Sequence, residues 1–133
     1  MRRSVAVAAA GLLLSACVSR DDLIRRVGQL AGAEAVDCGY VKLQEDSAQS
    51  VDCARTALAS QKPFKIVIER QGIDSAITAG IVGTPDGKLI EVVHDSDRWG
   101  GSGFIPRPVM WESSCAEITF GTGRHAIRCR RSD

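Results

Sequence analysis

The spacing of hydrophobic positions changes several times along the chain, and each change marks an element. Leu23, Ile24, Val27 and Leu30 recur at helical spacing. Ser19 ahead of them is a helix-capping residue type, Asp21 and Asp22 suit the positive first turn, and Gly32 supplies a stop. A short strand is expected around Tyr40-Val41-Lys42-Leu43. From Ser47 or Ser50 the helical period returns, with Val51, Ala54, Ala57 and Leu58 as an inner stripe ending near Gln61. Lys62-Pro63 closes this second helix, because proline cannot continue it. Phe64, Ile66 and Ile68 then alternate with Lys65, Val67 and Glu69 as in a strand. Gly72-Ile73-Asp74-Ser75 reads as a turn, and residues 76–84 and 88–95 flank a type I turn at Pro85-Asp86-Gly87. These runs predict a three-stranded antiparallel meander, and Gly80 and Gly83 in its middle strand imply a bulge or a closely packed helix. A last hairpin is expected from residues 117–120 and 124–130 about Gly121-Thr122-Gly123. The stretch from Asp97 to Met110 is left as a long loop. The expected fold is α+β: two short helices packed on one face of an antiparallel sheet of about five strands.

Composition adds an address. The chain has 133 residues, enough for one domain, with 17 Lys and Arg against 16 Asp and Glu. A net charge of +1 gives no basic field of the kind nucleic acid requires. At the start, Met1-Arg2-Arg3 precedes an apolar run over residues 5–14, too short to span a bilayer, and Leu14-Ser15-Ala16-Cys17 follows. This segment resembles the lipobox of bacterial lipoproteins. The resemblance implies that residues 1–16 are removed and that Cys17 is diacylated on sulfur and acylated on its new amino group. Val18 and Ser19, rather than Asp, follow the cysteine, which by the same resemblance favours the periplasmic face of the outer membrane. Residues 17–133 are then one anchored domain. Processing removes two arginines and no acid, so the charge becomes −1.

Of five cysteines, four remain after lipidation, and export favours disulfides over metal ligation. Pairing Phe120 with Arg124 across the last turn would set Cys115 directly opposite Cys129, leaving Cys38 with Cys53. No metal or cofactor is implied: the spacing Cys-x-x-Cys is missing, and His94-Asp95-Ser96-Asp97 starts like a calcium loop but continues with Trp99 where an oxygen ligand is needed. Gly100-Gly101-Ser102-Gly103-Phe104 fails the nucleophile-elbow pattern at its last position. The remaining catalytic candidates are Ser75, His94 and Asp95, on neighbouring parts of the meander, and they define the alternative of a small periplasmic hydrolase. His125 and the basic strip Arg124, Arg128 and Arg130 read as surface of the terminal hairpin, and Arg25 and Arg26 as a solvated helix face or a contact with lipid headgroups. The favoured function is a non-enzymatic binding module, with an inhibitor- or immunity-like role as one form of it, held to the membrane by its lipid. Its expected surface for an envelope protein partner is Trp99, Gly100, Gly101, Phe104, Arg107 and Trp111, because aromatics, arginine and glycines on a loop make a recognition surface.

Overall fold

The computed structural model describes residues 17–100, 105–122 and 126–132. Residues 1–16, Gly101, Ser102, Gly103, Phe104, Gly123, Arg124, His125 and Asp133 lie outside the described residues. The elements run α1 (Arg20–Ala31), β1 (Val36–Val41), α2 (Ala48–Ala59), β2 (Phe64–Gln71), β3 (Ala76–Gly83), β4 (Leu89–Asp95), β5 (Val109–Phe120) and β6 (Ile127–Arg131). The strands form one mixed sheet in sequence order. The expected α+β class and meander hold, but the sheet has six strands and is not wholly antiparallel. β1 lies parallel to β2, with α2 as the crossover that parallel neighbours require.

The helices occupy opposite faces, which corrects the expectation of one covered face. Leu23, Val27 and Ala31 of α1 pack with Val67, Val82 and Val92. Val51, Ala54 and Ala57 of α2 pack with Phe64, Ile66, Ile68 and Ile81, and with Ile118 and Ile127 from the far edge of the sheet. One cluster therefore joins β1 and β2 to β5 and β6, so the sheet curls around α2 and leaves α1 on its back. The reason is visible in β3. Ala79 to Gly83 are buried without interruption, as in a strand covered on both sides, so neither face can be left to water.

Gly80 and Gly83 make this double covering possible. A Cβ on Gly80 would stand 2.2 Å from Val27 Cγ2, and one on Gly83 would stand 2.7 Å from the Phe64 ring. Of the two expectations from these glycines, the closely packed helix is met at Gly80, and the registers on both sides run through it without a bulge.

Cys38 and Cys53 join β1 to α2, with Cα atoms 5.5 Å apart. Closing this loop of 15 residues in the unfolded chain stabilises the fold by about 3 kcal/mol. Cys115 and Cys129 join β5 to β6 with Cα atoms 5.3 Å apart. Both pairings are the expected ones, but the hairpin register is not. Phe120 faces Ile127, and Cys129 faces Ile118 rather than Cys115. A shift of register between Cys115 and Glu117 lets the disulfide run diagonally. Without that bulge, alternation would put Glu117 on the face of Cys115; with it, Ile118 is buried and Glu117 is exposed at the surface, paired with Arg130 at 3.0 Å. Burial of Ile118 thus decides the register.

The glycines give a test with opposite signs. Gly80→Ala should destabilise the domain by about 1–3 kcal/mol, because stiff Val27 leaves no room for a methyl. Gly28→Ala, where nothing lies within 4 Å of the added atom inside α1, should stabilise it by about 0.5–1 kcal/mol. Denaturant unfolding of the two variants reads both signs.

Candidate functional site

One end of the sheet gathers the chemistry. The register joins Gln71 to Ala76, Ile77 to Asp95, and Asp95 to Val109, so β2 ends, β3 begins, β4 ends and β5 begins side by side. α1 starts at this same end. Ser19 caps it in a reciprocal box: its hydroxyl accepts from the Asp22 N–H, and Asp22 Oδ2 accepts from the Ser19 N–H at 2.8 Å. These contacts hold the Asp22 carboxyl below its ordinary pKa, with the backbone hydrogen bond of Ser19 the leading cause. One residue earlier, the Val18 carbonyl accepts from His94 Nε2 at 3.2 Å, tying the segment before α1 to β4.

A cavity of about 740 Å³ opens here, lined among others by Arg20, Glu69, Ser75, Thr78, His94 and Ser96. Its best-organised group is Glu69. The carboxylate accepts from the Tyr40 hydroxyl at 2.6 Å and from the Leu43 N–H at 2.9 Å, while Arg20 stands 3.5 Å away. The Tyr40 hydrogen bond, above all, draws the Glu69 carboxyl below the usual carboxylate range. Burial first, then the same hydrogen bond, pushes the Tyr40 phenol up. Sequence reasoning missed this pair, because a strand Glu and a tyrosine 29 positions earlier carry no shared motif.

The catalytic candidates are near one another without forming a catalytic arrangement. Ser75 and His94 line the same cavity. His94 faces Thr78, three residues along β3 from Ser75, which is about 10 Å of strand. Among the described residues no hydrogen bond joins them. Because the acceptor is a carbonyl, His94 Nε2 carries the proton in its contact with Val18, and only Nδ1 is left as a base. Asp95 accepts from the Asp97 N–H at 3.0 Å and Asp97 from the Trp99 N–H at 3.3 Å, so these acids shape the turn. Among the described residues no group of three or more His, Cys, Asp or Glu could hold a metal.

The expected recognition loop is partly rearranged. Trp99, Gly100 and Arg107 lie in the connection from β4 to β5, where Arg98 N–H reaches the Arg107 carbonyl at 3.3 Å. Gly100 takes a φ of +62° close against Asp74 of the β2–β3 turn. Trp111 belongs instead to β5, opposite Val93, so the loop ends before Val109 rather than at Met110. Val109-Met110-Trp111 is apolar throughout and shows no alternation, which concealed this strand. Trp99 is 72% exposed, and two further apolar side chains join it at this end: Ile73 is 98% exposed and Ile105 77%. Sequence reasoning passed over both. The available signal was an isoleucine inside the turn Gly72-Ile73-Asp74-Ser75, where burial cannot be its purpose. The arginines of α1 are engaged with acids: Arg25 with Asp22, and Arg26 with Glu112 of β5.

No protein-family model, curated protein or solved structure matches the chain. Among the described residues, no helix is long and apolar enough to cross a membrane.

The Tyr40–Glu69 contact has a pH signature. Glu69, with its folded pKa lowered, adds stability that is complete above the pKa of an unfolded glutamate and is lost as pH falls through the folded value. Tyr40, with its folded pKa raised, adds stability present below the ordinary phenol pKa and lost as pH rises through the folded one. Tyr40→Phe should therefore flatten the decline of stability at both extremes, read from denaturation midpoints against pH. Parallel curves for the two proteins would show that the contact contributes nothing.

Proposed function

We propose that the protein is a non-enzymatic binding module of the bacterial envelope, lipid-anchored through Cys17 on the periplasmic face of the outer membrane. An inhibitor- or immunity-like role is one form of this reading. The binding surface is the loop end of the sheet, around Trp99, Gly100 and Arg107, enlarged by Ile73 and Ile105. The observation that carries the proposal is the exposure of Ile73, Trp99 and Ile105 together at one end of a small disulfide-stapled domain. Isolated exposed apolar residues need no explanation, whereas several on adjacent connections mark an interaction surface. Cys17, exposed and outside both disulfides, precedes α1 at that same end.

The hydrolase alternative draws on the cavity shared by Ser75 and His94. It requires the two side chains, which share no hydrogen bond among the described residues, to come together before a proton could pass.

Two measurements test the favoured reading. Mass spectrometry of the mature chain should find Cys17 as its first residue and carrying acyl groups; an unmodified Cys17 ends the lipoprotein reading. A photo-crosslinking residue in place of Trp99 should give adducts in intact envelopes at least several-fold above the same residue in place of Lys88, in the turn at the opposite end. Equal yields would remove the loop end as the binding surface. Trp111 is unsuited to this test because it is built into β5.

A further inference from the structure

We infer that what the loop end binds is the lipid bilayer itself, with Ile73, Trp99 and Ile105 inserted among the headgroups around the anchor. The inference rests on acylation of Cys17 and goes beyond it, since an anchor alone fixes neither the distance nor the orientation of a domain.

Distance decides first. Only Val18 and Ser19 separate Cys17 from α1, so the acylated residue stays within roughly 10 Å of the helix start at 3.3–3.6 Å per residue. Neither intervening residue is slack: Ser19 is the helix cap, and Val18 is bound to His94. A headgroup layer is about 5–8 Å thick on each side of the hydrocarbon. A tether that short spans the headgroups and little more. The face of the domain around Cys17 must then rest on the bilayer.

Orientation follows from what that face carries. Ser19 and Arg20 share the cavity wall with Asp74, Ser75 and Ser96, so the helix start, the β2–β3 turn and the end of β4 surround one opening. Ile73 and Trp99 project from two of these connections, and Ile105 from the return of the β4–β5 connection. Trp99 has the Arg98 guanidinium over its ring at 5.7 Å, an aromatic with a cation of the kind that settles at a membrane interface. Charge does not drive the contact. Asp21, Asp74 and Asp97 offset Arg20, Arg98 and Arg107 at this end, so there is no positive excess to seek anionic lipid. Apolar insertion beside the tether is what remains, and it suits a zwitterionic surface.

The test uses the full acylated chain reconstituted in phosphatidylcholine vesicles carrying bromine at defined acyl depths. Bromine quenches tryptophan only on close approach, and comparison with Trp99→Phe, an exposed substitution that leaves the fold intact, isolates Trp99 from Trp111. The quenched fraction should be at least twofold larger in the unsubstituted protein than in Trp99→Phe, and greatest with bromine at the shallowest position. In Ile73→Asn/Ile105→Asn that excess should fall by half or more, while added phosphatidylglycerol should leave it unchanged. Equal quenching with and without Trp99, in a sample whose Cys17 is acylated by mass spectrometry, would overturn the inference and leave the surface to a protein partner. A steep dependence on phosphatidylglycerol would overturn it too, by showing attraction of charge in place of apolar insertion. An unacylated Cys17 would overturn it at its foundation, and mass spectrometry tells that failure apart from the others.

Discussion

The close approach of α1 to β3 at Gly80 determines where everything else can sit. Val27 fills the space that a side chain at position 80 would need, with Leu23 beside it. Leu23, Val27 and Ala31 are therefore almost wholly removed from water against the back of the sheet. Burial on that scale, about 25 cal/mol per Å² of apolar surface, holds a helix of 12 residues that would not persist alone. Because α1 is fixed lengthwise over β2, β3 and β4, its cap must lie at the end where the β2–β3 and β4–β5 connections emerge. The position of Cys17 beside the exposed apolar loops is thus a consequence of core packing.

The curl on the other face has a second constraint. β5 leaves its pairing with β4 after Ser114 and, beyond the bulge, pairs only with β6. The hairpin so formed returns over the sheet until the Ile127 carbonyl accepts from Arg70 Nη2 at 3.1 Å. The same guanidinium meets the buried Glu91 carboxylate at 3.0 Å. A buried ion pair adds little net stability, since desolvation opposes the attraction, but removing one partner strands the other. Arg70 therefore fixes one position for the hairpin on an otherwise apolar surface that would accept several.

What the sequence reveals and hides follows from these devices. Both helices are legible because their stripes and stops are local: Ser19 with Asp22 at one start, Lys62-Pro63 after the other end. The β2–β3–β4 meander is legible because its turns are short and its registers unbroken. β1 is legible only at Tyr40 and Val41, where the expected strand overlaps Val36–Val41, and β5 only near its end, its apolar start Val109-Met110-Trp111 giving no alternation. Each contains a bulge next to a disulfide cysteine, at Cys38-Gly39 and at Cys115-Ala116, and a bulge resets the alternation by which a strand is read. At Gly39, with φ +90°, the reset sends Cys38 to the α2 side and Tyr40 to the α1 side. The candidate site was half legible on similar grounds. Trp99 and Arg107 stand out in composition, whereas Ile73 was hidden by its turn and Glu69 needs a partner brought in by the parallel strand.

That same parallel strand links the scaffold to the loop end. β1 runs alongside β2 and delivers Tyr40 and Leu43 to Glu69, so the wall of the cavity is built by the crossover through α2. Cys38 and Cys53 staple that crossover at the other side of β1. The two ends of the domain then differ in kind. The far end closes with Thr84, Pro85, Asp86 and Lys88, where Thr84 and Lys88 hold the Asp86 carboxyl below its ordinary pKa. The near end spends its connections on exposed isoleucine and tryptophan, at the end where Cys17 precedes α1. A chain this small has one core to stabilise it, and exposed apolar surface contributes nothing to that core. The core therefore does not account for the concentration of that surface at the end fixed by Gly80 and Val27, and that mismatch is the physical ground of the proposed binding surface.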